Sequence, residues 1–154
     1  MAVEDWIDAL ARLWEIADGR GGTLKSYRSY ERAEFPEALT VYPCALTYMV
    51  DVTHEYSAGG PAVDVYNGRT QFHLFPSAAK SLMPQAMRFV ARIRNAAASS
   101  ITLGGTVAHF ALRRDVPSIE GPVVLKYGSE EPHIGLIVNW RVKENVSGDF
   151  IVSA

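Results

Sequence analysis

The feature that most constrains the fold is an alternation of apolar and polar residues between residues 134 and 143. The apolar positions are Ile134, Leu136, Val138, Trp140 and Val142, and the positions between them include Gly135, Asn139, Arg141 and Lys143. A period of two predicts a strand with one buried face and one solvent-exposed face. A second extended run, from Val123 to Tyr127, precedes the turn-forming residues 128–132. Together these segments predict a β-hairpin.

Composition limits the remaining possibilities. The chain has 154 residues, of which 48% are hydrophobic, enough to bury the core of one domain. Its formal net charge of -2 argues against a basic coat for duplex nucleic acid. The one cysteine, Cys44, excludes an internal disulfide and favours a reducing compartment. Because no run of about 18 apolar residues occurs, we expect a soluble protein made in the cytosol, without a membrane span.

An amphipathic helix is predicted from about Glu4 to Asp18. Its apolar side chains recur at helical spacing: Trp6, Ile7, Leu10, Leu13, Trp14 and Ala17. Acidic residues in the first turn suit the positive end of the helix dipole, and the glycines after Asp18 end the helix. The mixed, acidic polar face favours packing on a sheet over binding to a membrane surface.

A second helix is predicted from Ser81 or Pro84 to Ala98. Its apolar stripe consists of Leu82, Ala86, Phe89, Val90, Ile93 and Ala97. Three arginines, Arg88, Arg92 and Arg94, lie on or beside its outer face. The like charges of Arg88 and Arg92 at i, i+4 cost a few tenths of a kcal/mol, which a partner carboxylate would relieve. Arginines also suit the negative end of a helix, so the sequence leaves both explanations open.

The other segments predict strands. An edge strand is expected near Leu24 to Tyr30, followed by a surface loop. Further strands are expected at Cys44 to Val52, Arg69 to Phe75, Ile101 to Leu103 and Thr106 to Arg114. Residues 53–68 contain Gly59-Gly60-Pro61 and Asn67-Gly68, which predict a long hairpin arm, with Ala62 to Tyr66 extending the second strand. The fold class is therefore α+β: a mainly antiparallel sheet with two helices packed on one face and a long hairpin arm.

Several surface segments are candidates for contact with a partner. The arm contributes His54, Glu55 and Tyr56. A basic and aromatic cluster contains Lys25, Arg28 and Arg32 beside Tyr27 and Tyr30; it fits either nucleic-acid contact or a strand edge protected by charge. We divide the chain into a single domain, residues 1–146, and a C-terminal tail, residues 147–154. The tail carries the apolar triplet Phe150, Ile151 and Val152, which suits an arm packed on a neighbouring subunit.

Motifs for catalysis or metal binding are not apparent. The four histidines, His54, His73, His109 and His133, lack HxH or HExxH spacing, and no CxxC pair occurs. Cys44 begins an apolar strand, where a buried, inert thiol is the usual outcome. We therefore expect no enzyme activity, no metal and no cofactor. A small hydrolase or ligand-binding module would require His73, His109 and a carboxylate such as Asp51 or Glu55 to meet in a pocket.

The order of elements resembles a known family. An N-terminal amphipathic helix, a strand pair with a long arm, a second helix and a closing hairpin follow one another over residues 3–146. The hairpin contains Lys126-Tyr127-Gly128, Ile134-Gly135-Leu136 and Trp140-Arg141-Val142. In this layout the chain resembles the tail-terminator or tail-completion proteins of long-tailed bacteriophages, which are small α+β subunits.

The resemblance implies a structural virion protein. Such a subunit would form a hexameric ring that stops polymerisation of the tail tube at its head-proximal end and joins the tube to the head connector. Its partners would be further copies of itself, the tail tube protein and the connector protein. Nucleic acid would be met only on passage through the ring lumen, where Lys25, Arg28 and Arg32 are candidate contacts. A different neck or tube subunit, such as a head-completion protein, is the alternative within the virion class. A nucleic-acid-binding module that also uses Arg88, Arg92 and Arg94 is a third hypothesis.

Overall fold

The computed structural model describes residues 3–15, 25–29, 43–55, 62–76, 83–103, 105, 107, 109–125 and 132–146. The elements, in chain order, are α1 (Val3–Trp14), β1 (Lys25–Ser29), β2 (Cys44–Glu55), β3 (Ala62–Pro76), α2 (Met83–Ala98), β4 (His109–Leu112), β5 (Ile119–Leu125) and β6 (His133–Val146). The predicted α+β class with a mainly antiparallel sheet is confirmed. Neither of the two described helices is both long and apolar enough to cross a membrane.

The strands form one sheet around the long pair β3 and β6. The order is β1, β2, β3 and β6, and both β4 and β5 then pair with the far edge of β6. Only β1 and β2 run parallel; the other described pairings are antiparallel. The predicted hairpin is confirmed, because β5 pairs with β6 through Val124 opposite Ile134 and Leu125 opposite His133.

The segment between β4 and β5 leaves the sheet and returns to it at Asn139. The backbone N–H of Arg113 donates to the Asn139 carbonyl at 2.9 Å, and the N–H of Asn139 donates to the Ser118 carbonyl at the same distance. Residues 114–117 therefore project from the sheet edge, between two strands that share the same partner strand.

The β2 and β3 strands are longer than the sequence pattern indicates. β2 continues to Glu55 and β3 begins at Ala62, so the connection spans residues 56–61. The predicted extension of the second strand over Ala62 to Tyr66 is confirmed, whereas residues 53–55, predicted as part of the loop, belong to β2. Asn67 and Gly68, interpreted as turn residues, lie within β3 and pair with Asp51 and Met49. Gly68 is needed there because the Trp140 indole occupies the space that a side chain would fill.

The prediction for residues 101–114 was also partly wrong. Ile101 to Leu103 form a turn rather than a strand, and β4 contains only residues 109–112. Leu103 has a φ of 49°, which takes the chain out of an extended path, while its side chain is buried in the core. The carbonyl of Ile101 accepts a hydrogen bond from the Phe110 N–H at 2.6 Å and so occupies part of the outer edge of β4.

The core is built on aromatic contacts between α1 and the sheet. The ring of Trp6 lies 5.2 Å from that of Tyr66 and 5.8 Å from that of Trp140. These tilted and edge-on arrangements are favourable for aromatic pairs. The predicted apolar stripe of α1 is confirmed by its buried residues: Trp6, Ile7, Leu10 and Trp14. α1 ends at Trp14; the end predicted near Asp18 lies outside the described residues.

The register of the strands divides the sheet residues between two faces. Tyr66, Phe72 and Trp140 lie on the face whose side chains join the hydrophobic core. That core also includes Ala86, Ile93 and Ala97 of the predicted α2 stripe, together with Ala96, which the prediction did not contain. Residues with the opposite parity point to the other face, named here the polar face. It carries Asn67, Arg69, Gln71, His73, Asn139 and Arg141.

Candidate interaction surfaces

The second half of β2 is the most exposed part of the described sheet. Its first four residues are buried, whereas each residue from Val50 to Glu55 is exposed. β1 pairs with residues 44–48 alone, so within the described ranges no strand covers the outer edge of residues 49–55. Val50 and Val52 have 49% and 51% of their surface exposed. We name residues 49–55 the open edge; a strand edge of this kind can pair with another chain.

Two of the predicted contact residues, His54 and Glu55, lie on this open edge. Nδ1 of His54 contacts the carboxylate of Asp64 on β3. The Tyr66 hydroxyl donates to the same carboxylate at 3.5 Å. Burial raises the pKa of Tyr66 to about 12, and the nearby charges of Asp64 and Glu144 add to this effect. The tyrosine therefore keeps its proton, and the pairing of β3 with the open edge is supported by side chains as well as backbone.

A hydrogen-bonded network joins the open edge to the polar face. Nδ2 of Asn67 donates to Asp51 at 2.6 Å, and its Oδ1 accepts from Nε of Arg141 at 2.8 Å. Arg141 also contacts Asp115 at 3.2 Å, and Arg113 binds the same carboxylate through two nitrogens at 3.0 and 2.6 Å. The hydrogen bonds and charge of Arg113 hold the pKa of Asp115 well below its usual range.

Asn139 is the centre of a second part of this network. Its Nδ2 donates to the Pro117 carbonyl at 2.8 Å and to Glu120 at 3.0 Å, while its Oδ1 accepts from Nε of Arg69 at 3.1 Å. Only 3% of the residue is exposed. Sequence reasoning placed Asn139 on the wet face of a strand and missed this role. The alternation gives its face but not its partners, which depend on the register of β3 and on the return of residues 113–118.

Two histidines form a buried pair on the polar face. Nδ1 of His73 lies 3.1 Å from Nδ1 of His133, and the side chains are 0% and 4% exposed. Nε2 of Gln71 donates to the Tyr48 hydroxyl at 3.1 Å, so its Oε1 faces Nε2 of His73 at 3.3 Å. His73 therefore carries its proton on Nε2 and accepts from Nδ1–H of His133. Burial, with a smaller contribution from His133, lowers the pKa of His73 to about 4.

The arginines of α2 differ in their surroundings. Arg88 and Arg94 are exposed, whereas Arg92 is partly buried with its guanidinium 5.2 Å from the centre of the Phe89 ring. Arg92 also lines a shallow depression of about 250 Å³ with Asn95, Ala96 and Ser99. This arrangement keeps two cations in solvent on the outer face of the helix.

Several predicted contact residues lie outside the part of the chain whose side chains the structure describes. The backbone of Lys25 and Arg28 is described in β1, but their side chains are not. The others are Arg32, Tyr56, Phe150, Ile151 and Val152. The predicted loop after Tyr30 and most of the turn at residues 128–132 also lie outside the described residues.

The groups required for the hydrolase alternative do not meet. His73 pairs in register with Gly135, and His109 pairs with Lys143, eight residues along β6. At about 3.3 Å per residue, this separation is roughly 26 Å. Cys44 is buried, as predicted from its position in an apolar strand. Among the described side chains, no three histidine, cysteine, aspartate or glutamate residues are grouped closely enough to hold a metal ion.

The described surfaces therefore offer contact chemistry: an open strand edge, a polar sheet face and a basic helix face. In comparisons with known proteins, the chain matches no protein-family model and no curated protein.

Proposed function

We propose that this protein is a structural component of a phage virion: a tail terminator that assembles as a hexameric ring at the head-proximal end of the tail tube. In this role it caps the tube and provides a docking surface for the head connector. Its location is the neck of the virion, after assembly in the host cytoplasm. Nucleic acid is met only on passage through the ring lumen, where Lys25, Arg28 and Arg32 are candidate contacts.

The observation that carries this proposal is the open edge of β2. Proteins that act as monomers usually protect strand edges with charge, proline, bulges or covering loops. The open edge has two of these protections, the charges of Asp51 and Glu55 and a bulge between Met49 and Asp51, yet Val50 and Val52 remain about half exposed beside backbone groups that no described strand covers. Such a surface suits contact with a neighbouring subunit.

The arrangement of the layers supports the same role. We infer that α1 and α2 together cover the core face of the sheet, because side chains of both helices belong to its hydrophobic cluster. We also infer that the end of the β2–β3 hairpin extends beyond the two helices as an arm. The reason is that Val52 and His54 lie at positions that point to the core face of the sheet, and both are nevertheless exposed. A subunit built in this way has a stable core and a separate segment for assembly.

The first test compares two exposed valines. Val52→Glu is expected to reduce ring formation at least tenfold, because it places a charge where the neighbour would bury an apolar side chain. Val124→Glu is the matched control: Val124, on β5, is 61% exposed and lies outside the open edge. Multi-angle light scattering and electron microscopy with purified tail tubes measure assembly, and circular dichroism checks folding. Equal assembly of both variants would count against the open edge as an interface.

A second test concerns the basic face of α2. Reversing Arg88 and Arg92 together to glutamate is expected to abolish assembly onto tubes while the monomer stays folded. Arg88 is exposed, and the contact of the partly buried Arg92 with the Phe89 ring contributes about 1 kcal/mol, so the monomer should tolerate the reversal, whereas charges across an interface determine association. Arg94→Glu serves as a single-charge control on the same helix. Normal tube capping by the double variant would assign Arg88 and Arg92 to solvation alone.

A further inference from the structure

We propose that the open edge of β2 receives the apolar triplet Phe150-Ile151-Val152 of a neighbouring copy as an added strand. This inference rests on the proposed ring and names the contact that would hold its subunits together. Recognition of this kind depends on main-chain hydrogen bonds, while alternate side chains provide selectivity.

The topology brings the tail and the open edge to the same end of the sheet. Val146, the last residue of β6, pairs with Ala62 at the beginning of β3. Glu55, the last residue of β2, pairs with the adjacent Val63. Residues 147–154 therefore follow directly from the end of the sheet at which the outer edge of β2 is paired with no described strand.

In the same chain, the tail could bring its apolar triplet only to the outer end of the open edge, short of Val52. A strand added beyond β2 would lie three strand spacings from β6, or about 14 Å. The four residues from Val146 to Phe150 reach at most about 14 Å when fully extended. All four residues would be needed to cross the end of the sheet. Val52 lies three residues, or about 10 Å, further inside the sheet than Glu55. A second copy has no such restriction.

The side chains of the two segments match in kind. In a strand, Phe150 and Val152 point to one face and Ile151 to the other. The open edge presents Val52 on the core-face side of the sheet, where it is half exposed. The added strand would place β-branched and aromatic side chains beside Val52 and bury it. Such side chains pack well against one another in neighbouring strands.

The test is a designed disulfide between Val52→Cys and Val152→Cys. It is made after Cys44→Ala, and also with the buried Cys44 retained in case the alanine variant fails to fold. Under oxidation, assembled protein is expected to give a ladder of covalently linked multimers on a non-reducing gel. The pair Val124→Cys and Val152→Cys is the matched control and should give no ladder. A synthetic peptide of residues 145–154 in excess should reduce the ladder at least tenfold.

Ring formation is scored by electron microscopy on the same samples, which separates this inference from the proposed function. Rings without a ladder would overturn the added strand and leave the tail terminator standing. A ladder without capped tubes would support the added strand and count against the terminator. Dimers formed by Val52→Cys alone would indicate pairing of two β2 edges, and a disulfide within one chain would indicate that the tail folds back. Either result would overturn the inference.

Discussion

Replacing Gly135 by alanine is expected to destabilise the protein by roughly 3 kcal/mol, the upper range for overpacking a core. An added methyl group would overlap the carbonyl oxygen of Phe72 and lie 2.6 Å from Cδ1 of Leu125. A backbone carbonyl in the middle of a sheet cannot move aside without disturbing the pairing of β3 with β6. For a chain of this size, the change corresponds to a decrease in Tm of about 6–12 °C.

Gly68 provides the companion variant and Gly105 the control. Alanine at Gly68 would overlap the buried Trp140 ring and lie 2.7 Å from the Tyr48 carbonyl, so a large loss is expected there too. Gly105 has open space around it and a φ of 85°, so the same substitution should cost only about 1 kcal/mol of backbone strain. Urea unfolding followed by circular dichroism measures all three. A loss below 1 kcal/mol for Gly135→Ala would contradict the close approach of β3 and β6.

These glycines also show where sequence reasoning reaches its limit. Asn67-Gly68 between two extended runs is a strong turn signal, and it led to the prediction of a long loop. In the structure Gly68 lies within a strand because a tryptophan 72 residues away packs against its backbone. A contact between distant residues of this kind leaves no local pattern, so the extent of β2 and β3 could not be predicted from the sequence.

For helices and strands with one buried face, the sequence pattern was sufficient to predict both the element and the face that is buried. The stripe containing Trp6, Leu10 and Trp14 predicted α1, and the alternation around Trp140 predicted β6 with its buried face, because burial imposes the period of each element. The polar network was not predictable in the same way. Contacts such as Asn67 to Arg141 and His73 to His133 depend on strand register and on the bulge between His73 and Phe75. The predicted contact residues of the arm and tail remain predictions.

The second large effect expected is a loss of stability in acid that arises from His73. Its pKa in the folded protein is about 4, below the model-peptide value of 6.5. Below pH 6.5 the unfolded chain binds a proton at this position that the folded chain does not, so the free energy of unfolding decreases as the pH falls. The decrease continues to about pH 4 and should total about 3 kcal/mol. Above pH 6.5 this histidine makes no contribution to the pH dependence.

The measurement compares the parent with His73→Gln by urea unfolding at several pH values between 4 and 7.5. Glutamine can offer a donor to Gln71 and an acceptor to His133 but has no proton to gain, so the variant should be somewhat less stable near pH 7 and lose less stability in acid. The difference between the two curves isolates His73 from the carboxylates, which are common to both proteins. NMR of the ring provides an independent reading, with His73 expected to stay neutral until about pH 4. If the two stability curves remain parallel from pH 7 to 4, or the ring titrates near 6.5, His73 is not held neutral by burial and the assigned chain from Tyr48 to His133 is incorrect.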